Sequence, residues 1–355
     1  MDRARAEGLL RSMVEIPSVS GDEGEVAAYL ARALPEWGFR SYVDRAGNAV
    51  GRRGTAGGPL IVLLGHVDTV PGDILVRQVG RVLFGRGTVD AKGALATMIC
   101  AAARAELRGA QVVVAGVVGE ETDGRGARYL SRTLRPDAAV VGEPNGWNGI
   151  GIGYKGRVTF DYQVRRAAAH TASLEEKATE VAFSFWGRVQ EYLAGFSPAG
   201  RVFDRPVPVL THMLGTIEHA DLAVSCRIPP GFDIAGFERF LCSVADGGTV
   251  VVDDRTPAVL VPTDSDVVRS LCSAVRSRGA RPKLKVKTGT ADLNIVAQRW
   301  DIPMAVYGPG DSRLDHTDHE HIDLDEFGMA VDVLTEAVEQ LAAGLVAGKS
   351  DAVAA

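Results

Sequence analysis

Leu60 to Leu64 are five apolar residues in an unbroken run, and the next four are Gly65-His66-Val67-Asp68. A run of this kind marks a strand buried on both faces, which requires a sheet covered by helices on each side. Two further runs share the form. Val112–Val118 leads into Gly119-Glu120-Glu121, and Ala138–Val141 leads into Gly142-Glu143-Pro144. A fourth apolar strand, Pro303–Val306, precedes a polar cluster from Gly308 to His321 that contains His316. Open α/β sheets place their sites at strand carboxyl ends, and here each run turns to His, Asp or Glu at that point. His66 and Asp68 lie two apart and share a face of an extended chain. A carboxylate so placed can hold one imidazole N–H while the other nitrogen binds a metal. Alone, the pair reads equally as a loop hydrogen bond.

Helical periodicity covers residues 4–14 and 24–34, with Ser20 or Asp22 as candidate caps for the second helix. Phe84-Gly85-Arg86-Gly87-Thr88-Val89-Asp90 approaches an Ala-rich helix from Lys92 to Leu107, which Asp90 is placed to cap. From Gly151 to Val259 the pattern changes. Arg157–Arg165 alternates as a half-exposed strand, Leu174–Leu193 is helical, 209–217 and 220–228 are strands, 234–244 is helical and 250–253 is a strand. That β-α-β-β-α-β order is ferredoxin-like. Alternation then resumes with helix 265–278, strand 283–287, helix 291–299, strand 303–307 and a helix from Leu324 to about Leu345. The expected fold class is α/β: a mixed sheet with helices on both faces, formed by residues 1–152 and 261–355, interrupted by a ferredoxin-like unit at 153–260.

The chain has 355 residues and a net charge of −6, which argues against a general nucleic-acid binder. No apolar run approaches the roughly 20 residues that span a bilayer. The opening residues read as an amphipathic helix and not a signal peptide. Cys100, Cys226, Cys242 and Cys272 are widely spaced and read as buried thiols of a reducing cytoplasm. Three motifs mislead. Gly151-Ile152-Gly153-Tyr154-Lys155-Gly156 has dinucleotide spacing but precedes a strand. Gly348-Lys349-Ser350 lacks the rest of a phosphate loop, and no Gly-x-Ser-x-Gly is present.

The strand-end candidates are His66, Asp68, Asp90, Glu120, Glu121, Glu143 and His316. Imidazoles with carboxylates suit a borderline ion such as Zn²⁺. Converging acids repel unless cations neutralise them, and more carboxylates than one ion needs point to a bridged pair. These residues, within Gly65-His66-Val67-Asp68-Thr69-Val70-Pro71, Gly85–Gly93, Gly119-Glu120-Glu121, Gly142-Glu143-Pro144 and His316 four before Glu320, resemble the dinuclear zinc aminoacylase, carboxypeptidase and succinyl-diaminopimelate desuccinylase family over nearly the whole chain. The resemblance implies that His66 and Glu143 bind one Zn²⁺, Glu121 and His316 the other, and Asp90 both, with Co²⁺ a possible substitute. It implies that Asp68 orients His66, that Glu120 is the general base and that the Asp90-Ala91 peptide is cis. Glu120 and Glu121 also read as charges near a helix start at Gly124. His170 matches a family histidine that reaches the substrate carbonyl from the partner subunit of a homodimer formed by the inserted domain. Its plainer reading is a helix-start residue. Arg227 matches a carboxylate-binding arginine, or is an exposed strand charge. The family's Asn-x-Ile-Pro motif is replaced by Gly215-Thr216-Ile217-Glu218-His219.

Gly142–Trp147, Gly153–Gly156 and Lys287–Asn294 look most like the branch that frees lysine or ornithine from the C-terminal γ-glutamyl group of an acidic amino-group carrier protein. That makes Lys155, Thr288 and Gly289 candidates for substrate contact. Arg281, Lys283, Lys285 and Lys287 alternate along a strand and form a basic stripe. It serves either to steer the acidic carrier or to guard a sheet edge. Other readings are a deacylase of free N-acyl amino acids such as N-acetylornithine, and a non-catalytic metal- or peptide-binding relative.

Overall fold

The computed structural model describes residues 2–196 and 200–354, excepting side chains from 350 onward. The chain forms two compact units. The first is Met1–Ile152, Val261–Lys285 and Ala291–Ala355; the second is Gly153–Leu260 with Val286–Thr290. The return of Val286–Thr290 to the second unit is not announced by any composition change. Among the described residues no helix is long and apolar enough to cross a membrane.

In the first unit the sheet runs Arg40–Val43, Ala49–Gly54, Gln111–Val117, Leu60–His66, Ala138–Gly142, Met304–Val306 and then Gly149–Tyr154. Leu60–His66 is parallel to both Gln111–Val117 and Ala138–Gly142, and Met304–Val306 is parallel to Ala138–Gly142. His66 pairs with Val117 and Gly65 with Gly142. The segments that follow the apolar strands therefore leave the sheet along one edge. Ile61–Leu64, Val112–Ala115 and Ala138–Val141 are all buried, as strands covered on both faces must be.

Helix Lys92–Arg104 crosses these strands closely because two of them carry a glycine at or next to the last residue. A Cβ on Gly65 would lie 3.3 Å from the Leu95 Cβ, and one on Gly142 would lie 3.1 Å from the Met98 Cε. Both contacts are tight for a close-packed interior. The helix consequently starts near the strand ends, bringing Asp90 there. Its N-cap is Ala91, without a side-chain cap bond. Asp90 is thus not the cap, because its carboxylate is engaged elsewhere. Neither Ser20 nor Asp22 caps Gly24–Ala33, whose N-cap is Glu23. A three-stranded sheet of His321–Asp323, Val82–Phe84 and Arg77–Val79 joins the chain just before Asp90 to the chain just after His316.

The second unit is a four-stranded antiparallel sheet ordered Val207–Gly215, His219–Ile228, Gly156–Arg165, Thr249–Thr256, with helices Ala178–Ala194 and Ile234–Ser243. Buried and less buried residues alternate along Gly156–Arg165, leaving one face for the helices. Tyr162 stacks on Phe185 at 3.9 Å between ring centroids, and Phe160 meets Phe237 edge-on at 6.0 Å. The first helix starts at Ala178 and not at Leu174. Leu174 is fully exposed, and the Glu180 carboxylate accepts the Lys177 N–H at 2.9 Å, which sets the start. Cys242 is exposed, unlike the other three cysteines.

Candidate metal centre

His66 ends its strand and is buried. Its Nδ1 lies 2.8 Å from the Asp68 carbonyl oxygen and its Nε2 3.1 Å from Asp90 Oδ1. The Asp68 carboxylate is 3.6 Å from Nδ1, too long for a hydrogen bond. Asp68 therefore meets His66 through its main chain, a correction to the expected carboxylate contact. The carboxylate instead accepts the Glu120 N–H on Oδ1 and the Glu121 N–H on Oδ2, each at 3.1 Å, and the Ser20 hydroxyl at 2.7 Å. One buried aspartate thus ties the His66 strand end to the segment bearing both glutamates.

The far side of that segment is also held. Arg125 Nη2 donates to both oxygens of buried Glu23 at 2.8 and 2.7 Å. Asn48 accepts the Val118 N–H at 3.1 Å and donates to the Gly126 carbonyl at 3.2 Å. Glu120 and Glu121 therefore sit on a backbone fixed before and after them.

Asp90 joins the two histidines. Its Oδ1 faces His66 as above, and its Oδ2 lies 3.1 Å from His316 Nε2. The same Nε2 is 3.0 Å from Glu121 Oε1. His316 takes the left-handed backbone conformation, with φ at 60°, and the Asp90-Ala91 peptide is cis. Donor atoms of His66, Asp90 and Glu121 all lie within 4.8 Å of one another. Glu143 belongs to the same electrostatic neighbourhood, where Glu120, Asp90 and His66 act on it.

The charges do not balance within the protein. Burial pushes Glu120 well above its usual range, and the charges of Asp292, Glu121 and Asp90 add to this against the opposing His66. Glu143 is raised for the same reasons, burial first and then Glu120 and Asp90. Burial also raises Asp292, to about 7, and neither of its oxygens has a hydrogen-bond partner. Burial opposes the charged form of His66, but Asp68 and Asp90 outweigh it and raise the imidazole. His316 is raised to about 9, chiefly by Asp90. Asp90 itself is lowered, since bonds from His316 and His66 overcome the burial that opposes its charge. Acids that resist ionising and imidazoles that retain protons mark a cluster short of positive charge. Imidazole nitrogens, carboxylate oxygens and an orphaned buried carboxylate fit divalent cations of borderline softness.

The remaining candidates lie in the second unit or on the strand near it. His170 is exposed in a turn, its Nδ1 accepting the Ala172 N–H at 3.1 Å, well before the helix that starts at Ala178. Arg227 donates to the Thr290 hydroxyl, which donates to the Lys155 carbonyl at 3.1 Å. Lys155 is fully buried with its ammonium on the Arg205 carbonyl, so the expected substrate contact is replaced by a supporting one. Thr288 and Gly289 are exposed. Within the basic stripe Arg281 and Lys283 are exposed, whereas Lys285 is half-buried and donates to the Asn145 carbonyl. In the sequence Ser20 stands out only as a candidate helix cap, and Asp292 and Glu320 carry no role of their own. Asp292 lies in the Lys287–Asn294 motif and Glu320 four residues after His316. The clue for each was therefore a position in a motif and not a pattern of its own.

A model of peptidase family M20/M25/M40 matches residues 62–340. A LysW-lysine hydrolase of Deinococcus radiodurans is 43% identical over 360 residues, covering 97% of this chain and 99% of the relative. Among solved structures, a tripeptidase from Staphylococcus aureus shares the fold with a TM-score of 0.81 at 18% identity, covering 97% of this chain and 99% of its own. An M20 family metallo-carboxypeptidase from Sulfolobus solfataricus does so with a TM-score of 0.76 at 15% identity, covering 97% and 100%. The chain belongs to peptidase family M20/M25/M40 and is a metal-dependent hydrolase.

Proposed function

We propose that this hydrolase is a dinuclear zinc enzyme that cleaves lysine, ornithine or a related amino acid from the C-terminal γ-glutamyl group of an acidic amino-group carrier protein. His66 and Glu143 hold one ion, Glu121 and His316 the other, and Asp90 both, with Co²⁺ an acceptable substitute. When bound, such ions supply Lewis acidity to the scissile carbonyl and acidity to the attacking water. Glu120 takes the proton from that water and delivers it to the leaving amine. Asp68 keeps Glu120 and Glu121 in place through their main-chain N–H groups. Arg227, fixed by Thr290, accepts the substrate carboxylate, and Thr288 and Gly289 line its path.

The second unit serves as lid and dimerisation domain, from which His170 acts on the substrate of the partner subunit. Its edge strand Val207–Gly215 leaves Val209, Met213 and Leu214 exposed, an apolar edge of the kind a second copy would cover. Arg281 and Lys283 present the charge that steers the carrier.

The observation that carries the reading is the Asp90 carboxylate, with one oxygen on His66 and the other on His316. The substrate class is supported by the D. radiodurans relative, aligned over nearly all of both chains. The test is mass spectrometry of zinc-loaded enzyme incubated with carrier-linked lysine, carrier-linked ornithine and the free N-acetyl amino acids. Release from the carrier substrates is expected, and native spectra of the same sample should give two chains per particle. Turnover confined to the free acyl amino acids would replace this reading with the deacylase one.

A further inference from the structure

Glu320 is fully buried and its carboxylate is engaged on both oxygens. Oε1 accepts the N–H groups of Val89 at 2.8 Å and Asp90 at 3.0 Å. Oε2 accepts the Gly87 N–H and Arg86 Nη1, each at 3.0 Å. Arg86 reaches further. Its Nη1 also donates to the Thr317 carbonyl and its Nε to the Gly72 carbonyl, both at 3.0 Å. Gly72 follows the His66–Asp68 strand end, Val89 precedes Asp90, which carries the central carboxylate, and Thr317 directly follows His316. One carboxylate and one guanidinium therefore join the three segments that present His66, Asp90 and His316.

The local sequence suits this contact and little else. Gly87 has φ at 84°, and a Cβ there would lie 2.9 Å from the Thr69 side chain and 3.0 Å from that of Lys92. Only glycine lets the loop close over Glu320. A buried carboxylate persists when its lone pairs are satisfied and a cation offsets its charge, and Glu320 meets both conditions. The bond to the Asp90 N–H matters most, because the Asp90 side chain spans the two histidines.

We propose that Glu320 and Arg86 form a clamp that sets the spacing of the three ligand segments and through it the affinity for metal. Both are positioning residues, since neither touches the reacting atoms. Partners one layer out from the ligands contribute roughly 10–100-fold to metal affinity in such sites. The inference rests on the ligand roles proposed for His66, Asp90 and His316.

The test titrates metal-free wild type, Glu320→Gln and Arg86→Lys with Zn²⁺ against a chromophoric chelator. Thermal melts and steady-state kinetics at saturating zinc are recorded in parallel. Glutamine places an amide where Oε2 or Oε1 accepts, and lysine keeps the charge without the fork. Arg278→Ala, which breaks an ion pair to Glu336 in the same unit, is the control for lost stability alone. Zinc affinity should fall by about 10–100-fold in both clamp variants and stay unchanged in the control. Turnover should recover largely when zinc saturates, with KM unaltered. Clamp variants with wild-type zinc affinity and only a lowered melting temperature would overturn the clamp. Should Glu320→Gln not fold, Arg86→Lys decides by the same criterion. Wild type that takes up no zinc would instead remove the ligand assignments, and the clamp with them; wild type and variants that take up two ions equally well would remove the clamp alone.

Discussion

The two units use a sheet in opposite ways. In the first, strands are buried on both faces and polar side chains collect at one edge, where His66, Asp90, Glu121 and His316 meet. In the second, strands alternate and one face is covered by helices, with Phe160, Tyr162, Phe185 and Phe237 in the core. The first unit concentrates buried charge in one place and holds it with hydrogen-bonded backbone. The second resembles an ordinary amphipathic layer and leaves a face for other contacts. Chemistry and stability are therefore separable in this chain, and substitutions in the two units should read out differently.

The largest effect is expected at Glu120. Glu120→Gln should lower turnover by about 10²–10⁴-fold, the usual worth of a general base, with zinc content and melting temperature unchanged. Retained activity would move the base elsewhere and weaken the contrast. Next comes Phe185→Ala, which removes the ring stacked on Tyr162. Emptying such a site costs about 3–5 kcal/mol, read as a lower denaturant midpoint, while zinc content stays that of the wild type. Loss of zinc together with stability would show that the units are not separable. The smallest effect on the fold belongs to Lys283→Glu. An exposed substitution of this kind changes stability by less than about 0.5 kcal/mol. It should still raise KM for the carrier-linked substrate by roughly tenfold at low salt, as loss of steering charge does. KM for a small acyl diamino acid should stay put, and equal changes in both would end the steering role.

The strand ends were legible because burial on both faces leaves an unmistakable apolar run, and the polar residue that stops it is easy to see. His66, Glu120, Glu121 and Glu143 all follow from that pattern. Helix starts were less legible. Leu174 extends an apolar periodicity that the chain does not use, and Glu180 fixes the start four residues later. Least legible were bonds from side chains to distant backbone. The spacing of His66 and Asp68 suggests a partner for an imidazole ring, yet the Asp68 carboxylate holds two N–H groups some fifty residues on. Glu320 binds three N–H groups more than two hundred residues earlier in the chain. Main-chain donors carry no residue identity, so no sequence pattern records who receives them.

His66, Asp90, Glu121 and Glu143 all precede the second unit, and His316 comes after it, almost half the chain beyond Glu143. On a ribosome adding roughly 5–20 residues per second, the emerging protein carries four of these five side chains for many seconds before the last histidine arrives. Translation order thus delays the moment at which the pocket can be closed until the whole second unit has been made.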